Sequence, residues 1–220
     1  MKLRLTLVLA AVLLAAGATA LWAGPRPAGV AQGSSDEVEV LVLMSNLHGA
    51  YFSYLRDQME LYGWRLTFAG VTRTVTNCSW GVPFEVDTLV SEITDVAPYD
   101  CLLLGQSQAY RGLAYNQLLA SPEALDLVRQ AVQDSLLVVT VCAGTRVLAA
   151  ADVIEGKQVT GYATHSQEYI DAGAVYLGDN LPPVLDGNIL TCSKGHYYTQ
   201  QIGEAMRAAV DSLRVVRGRQ

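Results

Sequence analysis

Short apolar runs alternate with segments of helical spacing along most of the chain. Runs rich in β-branched and aliphatic residues predict buried strands, at 38–44, 64–69, 99–105 and 136–142. Helical spacing predicts helices over 51–62, which Gly63 ends, and from Ser121, a suitable N-cap before Pro122, to about 134. Strands that alternate with helices form a mostly parallel sheet with helices on both faces, so the predicted fold class is α/β.

Briefer patterns predict shorter elements in the rest of the chain. These are strands at 157–160 and 174–177, a helix over 166–172, a hairpin within 183–192 that turns at Asp186-Gly187, and a last helix over 199–215. Residues 71–86 predict a hairpin or an irregular β excursion. The last helix has an apolar stripe at core spacing, formed by Ile202, Met206, Val210 and Leu213.

The first residues of the chain have the pattern of an export signal. A basic start, with Lys2 and Arg4, precedes an apolar run over 5–16 and small residues to Ala20. This pattern predicts a secretory signal peptide within 1–23, and hence a periplasmic or extracellular protein. The alternative is an uncleaved membrane anchor, because residues 5–23 carry no charge and are about long enough to span a bilayer.

The remainder divides into a linker, one domain and a short tail. Residues 24–37 have the composition of a disordered linker, 38–213 suit a single domain, and 214–220 are predicted to be a solvated basic tail. Three of the 15 basic residues and none of the 21 acidic ones precede Asp36, so residues 36–220 carry a formal charge of −9. An acidic domain of this kind is not expected to bind nucleic acid or anionic membranes. Contact with a membrane is therefore expected only through the N-terminal segment.

Cysteine spacing argues against two common uses of this residue. The four cysteines, Cys78, Cys101, Cys142 and Cys192, include no CxxC pair and no zinc-like spacing, so no metal site is expected. They do not suit a disulfide scaffold in a domain of this size, although one disulfide between an undetermined pair is compatible with export. The chain has no GxGxxG or Walker-type phosphate loop, and no cofactor is expected.

Cys142 has the local features of a nucleophile elbow. It follows the β-branched run 137–141 and precedes Ala143 and Gly144, small residues that permit a sharp turn into a helix. The unpaired N–H groups and partial positive charge at the start of a helix favour the thiolate form of a cysteine. The other interpretation is a buried structural cysteine at the end of a strand, because free cysteines pack well in cores.

Residues 139–162 carry a family resemblance. This segment resembles the corresponding segment of the DJ-1/PfpI family, which is related to class I glutamine amidotransferases. The shared features are a strand, a cysteine, a small residue, a glycine and a helix rich in Leu and Ala. Residues 172–174 and 186–191 are similar to a later stretch of that family, and the likeness extends over about 38–213. The resemblance implies a flavodoxin-like three-layer sandwich, often a homodimer, with Cys142 as the nucleophile and a small molecule as substrate or ligand.

The chain departs from this family pattern at three places. Family members carry a Glu or Asp after the first strand, where it hydrogen-bonds the cysteine, whereas residues 46–50 contain no carboxylate. Ala143 follows the cysteine where protease-like members have His, and Gly105-Gln106-Ser107 stands where Pro-Gly-Gly is usual. Glyoxalase and deglycase chemistry in the family relies on the missing carboxylate, so these departures weaken the transfer of those activities.

Two histidines are candidates for proton transfer to and from Cys142. His196 follows the final strand, at the place where class I glutamine amidotransferases carry their catalytic histidine, and Tyr198 stands where their Glu would be. His48 lies in the loop that carries the carboxylate in the DJ-1/PfpI family. The resemblance implies a Cys142–His196 dyad assisted by His48 or Tyr198, and the alternative is two polar loop histidines without a catalytic role.

Backbone amides next to Cys142 are the candidates for an oxyanion hole. The Ala143 amide and an amide of Gln106 or Ser107 would donate hydrogen bonds to the developing negative charge. Cys192, at the end of the last strand, is either a core residue or the partner in a disulfide with Cys142 that locks or switches the site.

These features predict an exported cysteine-dependent hydrolase or lyase that acts on a small carbonyl-, amide- or nitrile-like substrate. The alternative is a non-catalytic member of the same fold that binds a ligand or senses oxidants through Cys142. The missing carboxylate and the altered Pro-Gly-Gly position favour that alternative. A third interpretation, an interaction domain in an exported complex, has only the acidic surface and the linker in its favour.

Overall fold

A computed structural model of the chain describes residues 37–49, 52–76, 81–107 and 115–218. The predicted signal peptide or anchor at 1–23, almost all of the predicted linker, and Cys78 lie outside these ranges.

The described part contains eleven strands and six helices. The strands are β1 (Glu39–Met44), β2 (Arg65–Gly70), β3 (Thr74–Thr76), β4 (Pro83–Glu85), β5 (Thr88–Leu89), β6 (Cys101–Ser107), β7 (Leu137–Cys142), β8 (Gln158–Val159), β9 (Val175–Tyr176), β10 (Val184–Asp186) and β11 (Ile189–Cys192). The helices are α1 (Phe52–Leu61), α2 (Asn116–Leu119), α3 (Pro122–Gln133), α4 (Thr145–Ala150), α5 (Ser166–Asp171) and α6 (Thr199–Val216).

Seven strands form one central sheet in the order β10-β11-β7-β6-β1-β2-β5. Every neighbouring pair is parallel except β10 and β11, which form the predicted antiparallel hairpin. The carboxyl ends of β1, β6, β7 and β11 therefore lie at one edge of the sheet, where ligands bind in open α/β folds. The predicted mostly parallel α/β fold is confirmed.

Alternating side chains of the strands serve two separate apolar layers. In β1, Leu41 and Leu43 belong to the cluster covered by α3 and α4, whereas Val40 and Val42 belong to the cluster covered by α1 and α6. This period of two explains why β1 is apolar from Val40 to Met44, since both faces of the strand are buried there. No helix within the described ranges is both long enough and apolar enough to cross a membrane.

Local sequence signals mark several element boundaries correctly. The Ser121 hydroxyl accepts a hydrogen bond from the Ala124 amide at 3.2 Å and caps α3, as predicted from Ser-Pro. Gly63 and Gly173 follow α1 and α5 with φ of +74° and +79°, which glycine adopts without strain. The predicted excursion over 71–86 contains a hairpin of β3 and β4.

The C-terminal arginines contradict the prediction of a solvated tail over 214–220. Helix α6 continues to Val216, and Arg214 and Arg217 pack against Asp100, whose side chain is fully buried. Arg214 Nε lies 3.6 Å from Asp100 Oδ1, and Arg217 Nη1 donates to the Tyr99 carbonyl oxygen at 2.7 Å. The residues of this contact are more than a hundred positions apart, so the local composition carries no sign of it.

Candidate functional site

Cys142 ends β7 in a backbone conformation that is unusual for a residue with a side chain. Its φ is +60°, in the left-handed region, and the chain turns at once into α4. The Gly144 amide donates to the Val141 carbonyl oxygen at 3.0 Å and closes the turn. The predicted strand–turn–helix arrangement is therefore present, and a conformation of this kind persists only where neighbouring groups stabilise it.

Groups from two other segments form hydrogen bonds to the turn. The buried Tyr115 hydroxyl donates to the Val141 carbonyl oxygen at 3.2 Å and lies 3.4 Å from the Leu104 carbonyl oxygen. The Tyr162 amide donates to the Cys142 carbonyl oxygen at 3.0 Å. A Cβ atom on Gly144 would lie 3.0 Å from the Tyr115 hydroxyl oxygen, so a larger residue would crowd the hydrogen bond from Tyr115 to Val141.

Buried threonines connect the turn to the rest of the sheet. The Thr145 hydroxyl donates to the Thr160 carbonyl oxygen at 2.9 Å and lies 3.1 Å from the Thr140 hydroxyl. The Thr160 amide in turn donates to the Thr191 hydroxyl at 3.0 Å. These bonds join β7, α4 and β11 next to Cys142 and hold the backbone of the turn in place.

The three cysteines in the described ranges have different surroundings. Cys101 and Cys192 are buried, whereas Cys142 is half-buried between the two apolar clusters. Burial raises the pKa of Cys101 far above its usual range, and it raises the pKa of Cys192 to about 11. The nearby Cys142 adds to the increase at Cys192, which places the two sulfurs in each other's electrostatic range.

The candidates for an oxyanion hole lie beside Cys142. Ser107 pairs with Cys142 across β6 and β7, after a register shift between Leu104 and Ser107. Gln106 precedes Ser107 within that irregular stretch, and Ala143 follows Cys142 directly and is buried. The structure brings the backbones of these residues to the same edge of the sheet.

His48 lies in the loop after β1, and its imidazole makes no hydrogen bond of standard geometry with the described residues. Both of its ring nitrogens are buried. Burial lowers the pKa of His48 below its usual 6.5, and the Gly49 backbone opposes this effect only in part. The lowered pKa favours the neutral form of the His48 imidazole.

His196 is exposed in the loop between β11 and α6. Its ring lies against Tyr197, with 4.1 Å between the ring centroids. The Tyr198 hydroxyl donates to the Asn180 carbonyl oxygen at 3.2 Å, and the Lys194 ammonium also contacts Asn180. Tyr198 and Lys194 thus tie this loop to the one before β10, and the Cys142–His196 dyad remains a prediction.

A charged network next to the turn is absent from the sequence predictions. Arg146, in the first turn of α4, donates through Nε to Glu168 Oε2 at 2.7 Å, and His165 Nδ1 lies 3.0 Å from Glu168 Oε1. Burial raises the pKa of Glu168, but the bonds from Arg146 and His165 outweigh it and leave the pKa below its usual range. The three-residue spacing of His165 and Glu168 signals one contact, whereas the Arg146 contact depends on the tertiary fold.

The family model for DJ-1/PfpI proteins matches residues 31–207. The chain belongs to the DJ-1/PfpI family. A structure of a ThiJ/PfpI domain protein from Brachyspira murdochii superposes with a TM-score of 0.69 at 18% identity, covering 80% of this chain and 98% of that one. At that identity the likeness supports the fold.

Curated relatives in the DJ-1/PfpI family have differing names. Protein DJ-1 homolog D of Arabidopsis thaliana is 31% identical over 54% of this chain and 30% of its own length. Isonitrile hydratase of Pseudomonas putida is 29% identical over 42% of this chain and 40% of its own length. Deglycase PfpI of Pyrococcus furiosus is 23% identical over 69% of this chain and 87% of its own length. The matches to the first two span less than half of those proteins.

This DJ-1/PfpI chain offers no ready place for a metal ion within its described residues. No group of three or more His, Cys, Asp or Glu side chains there is placed to bind one. The chemistry available at the edge of the sheet is that of a half-buried thiol, backbone amides, a neutral imidazole and an exposed imidazole.

Proposed function

We propose that this protein is an exported cysteine-dependent hydrolase or lyase that uses Cys142 on a small carbonyl-, amide- or nitrile-type substrate. The observation that carries the proposal is the left-handed φ of +60° at Cys142, in the turn between β7 and α4. Strained backbone of this kind clusters at sites of chemistry, and the bonds to Val141 and Cys142 from Tyr115 and Tyr162 maintain it here.

In the proposed reaction, the Cys142 thiolate attacks the electrophilic carbon of the substrate. An electron pair of the attacked multiple bond moves onto its oxygen or nitrogen, where the amides of Ala143 and of Gln106 or Ser107 would stabilise the charge. His196 would take the thiol proton before attack and return a proton to the nitrogen or oxygen that receives the electron pair. In a hydrolysis, water would then add to the covalent intermediate, and the carbon–sulfur bond would break to release the product and restore the Cys142 thiol. The relatives named isonitrile hydratase and deglycase support a small-molecule substrate for this family site.

Two further proposals concern the location and the assembly of the protein. Export is inferred only from the basic and apolar pattern within 1–23, with cleavage or anchoring left open. A homodimer is inferred from the family resemblance.

A second candidate function is ligand binding or oxidant sensing without turnover. It is favoured by the absence of a carboxylate in residues 46–50 and by the exposed position of His196 against Tyr197. In that function Cys142 would be oxidised rather than acylated, and the nearby Cys192 would be a candidate partner.

The pH dependence of Cys142 alkylation in the full chain tests the enzyme proposal. We expect an apparent pKa well below the value of about 8.5 for a free thiol, and an upward shift in His196→Ala. Tyr197→Ala serves as the matched control, because it removes the ring beside His196 and leaves the imidazole in place.

The two outcomes separate the candidate functions. A depressed apparent pKa that depends on His196 supports a catalytic dyad, and Cys142→Ser should then abolish turnover of any substrate found. A thiol of ordinary pKa that is indifferent to His196→Ala contradicts the dyad and supports the binding or sensing function.

A further inference from the structure

The turn after β1 contains buried polar atoms that make no hydrogen bond of standard geometry with the described residues. Ser45 is 1% exposed, and its hydroxyl has no hydrogen-bond partner among the described residues. Neither ring nitrogen of His48 makes a hydrogen bond of standard geometry there, although the Gly49 backbone lies near enough to raise the pKa of this imidazole slightly against the effect of burial. A buried polar atom without a partner costs about 1–3 kcal/mol, so three such atoms within four residues require an explanation.

Ser45 and His48 lie at the two ends of one tight turn. Asn46 and Leu47 form its centre, with Leu47 in the left-handed region at φ +62°. The first and fourth residues of such a turn have Cα atoms within about 7 Å of each other. A single small ligand can therefore contact both side chains.

The turn is held in place by contacts that leave Ser45 and His48 unused. The Asn46 amide donates to Gln117 Oε1 at 2.7 Å, and Asn46 Oδ1 accepts a hydrogen bond from the Thr76 amide at 2.8 Å. Two separate segments thus hold the turn in a defined position. The lack of hydrogen bonds at Ser45 and His48 is therefore not explained by a loosely held loop. Preformed polar groups in a fixed position are typical of a binding site.

We propose that the Ser45 hydroxyl and the His48 imidazole bind the polar end of a small uncharged ligand, a primary amide or an equivalent group that both donates and accepts hydrogen bonds. A neutral imidazole offers one donor and one acceptor, and a hydroxyl offers both. An anion would instead favour the protonated imidazole, against the effect of burial at His48. The flanking Met44 and Phe52 are buried and apolar, which also disfavours a charged ligand.

The position of this pair relates it to Cys142. Strand β6 alone separates β1 from β7, so the carboxyl ends of the two strands are about 10 Å apart at the usual strand spacing. A histidine side chain and a small ligand together span that distance. The inference deepens the proposed function, and it rests on that function for one point only, that the bound amide is the substrate of Cys142.

Binding of acetamide to the full chain, followed by NMR of ¹³C-labelled histidine, tests the inference. The His48 signals are the ones missing from His48→Phe. We expect acetamide to shift them in a saturable manner and acetate to leave them in place. Ser45→Ala should weaken acetamide binding about fivefold, the effect of losing one hydrogen bond, whereas Ser212→Ala on the exposed face of α6 should not.

The outcomes distinguish this inference from the proposed function. Cys142→Ser should retain the acetamide shifts, because the contact does not involve the thiol. The inference is overturned if acetamide at molar concentration leaves the wild-type His48 signals unmoved, which would mean that only water fills the turn. It is also overturned if acetate binds equally well. Failure of the catalytic dyad appears separately, in the Cys142 alkylation profile.

Discussion

Cys142, Cys101 and Cys192 show how one residue type acquires different properties within a single sheet. Cys101 and Cys192 are enclosed by apolar side chains, which disfavours the thiolate, whereas Cys142 lies at the end of a strand and is only half-buried. Sequence context distinguishes Cys142 by the small residues that follow it. The tertiary surroundings show that burial disfavours the thiolate form of the other two cysteines.

Alkylation by iodoacetamide should therefore be selective. We expect Cys142 to be labelled at mildly alkaline pH while Cys101 and Cys192 remain free, because burial raises the pKa of both and holds that of Cys192 at about 11. Peptide mapping by mass spectrometry measures the labelling, and all four cysteines should react in denaturant. Equal labelling of Cys192 and Cys142 in the native protein would contradict this prediction.

The buried imidazole of His48 should make stability depend on pH. Its folded pKa lies below the ordinary 6.5, so the unfolded chain takes up this proton at a higher pH than the folded protein does. We expect the free energy of unfolding to fall as the pH drops through 6.5 toward the lower folded pKa. Urea denaturation across this range, in wild type and His48→Gln, measures the effect. The His48→Gln variant should lose less stability over this pH range than wild type. Parallel pH profiles of the free energy of unfolding in the two proteins would contradict the prediction.

At the scale of elements, the turn between β7 and α4 depends on a neighbouring segment that approaches it closely. Gly161 lies between Thr160 and Tyr162, which bond to Thr145 and Cys142 respectively. A Cβ atom at Gly161 would lie 2.8 Å from Tyr169 Cε2 and 3.0 Å from Thr145 Oγ1. Since Tyr169 is fully buried, its ring cannot move aside without disturbing the core.

Gly161→Ala should accordingly destabilise the protein by about 1–3 kcal/mol, as overpacking does in other cores. Ala163→Ser, two residues away on the exposed surface, is the matched control and should stay within about 0.5 kcal/mol of wild type. Urea denaturation compares the two variants. A Gly161→Ala protein as stable as the control would show that the tyrosine ring has room to move.

At the scale of the whole molecule, the end of the chain is joined to the amino end of β6. Asp100 is fully buried, its Oδ2 accepts a hydrogen bond from the Glu39 amide, and Arg214 and Arg217 supply the positive charge from α6. The exposed fraction of both arginine side chains is only 12%. Removing one partner of such a buried pair leaves an uncompensated charge.

Asp100→Ala should destabilise the protein by about 3–5 kcal/mol. Asp126→Ala removes a carboxylate from the exposed Arg129–Asp126 pair and should cost no more than about 1 kcal/mol. Denaturation of both variants, with Arg214→Met added to complete a double-mutant cycle, measures the coupling. Additive effects of Asp100→Ala and Arg214→Met would mean that the pair contributes no specific stability.

The sequence by itself determined the alternation of strands and helices, the cap at Ser121, the glycine helix ends and the strand–turn–helix at Cys142. These features follow from residue periodicity and turn chemistry, which act over a few neighbouring positions. The tertiary structure alone decided the hydrogen bond from Tyr115 to Val141, the Arg146–Glu168–His165 network, the Asp100 contacts and the burial of Ser45 and His48. Apart from the local contact of His165 with Glu168, each of these depends on segments that only folding brings together, because the hydrogen bonds and desolvation that define them have no counterpart in the local sequence.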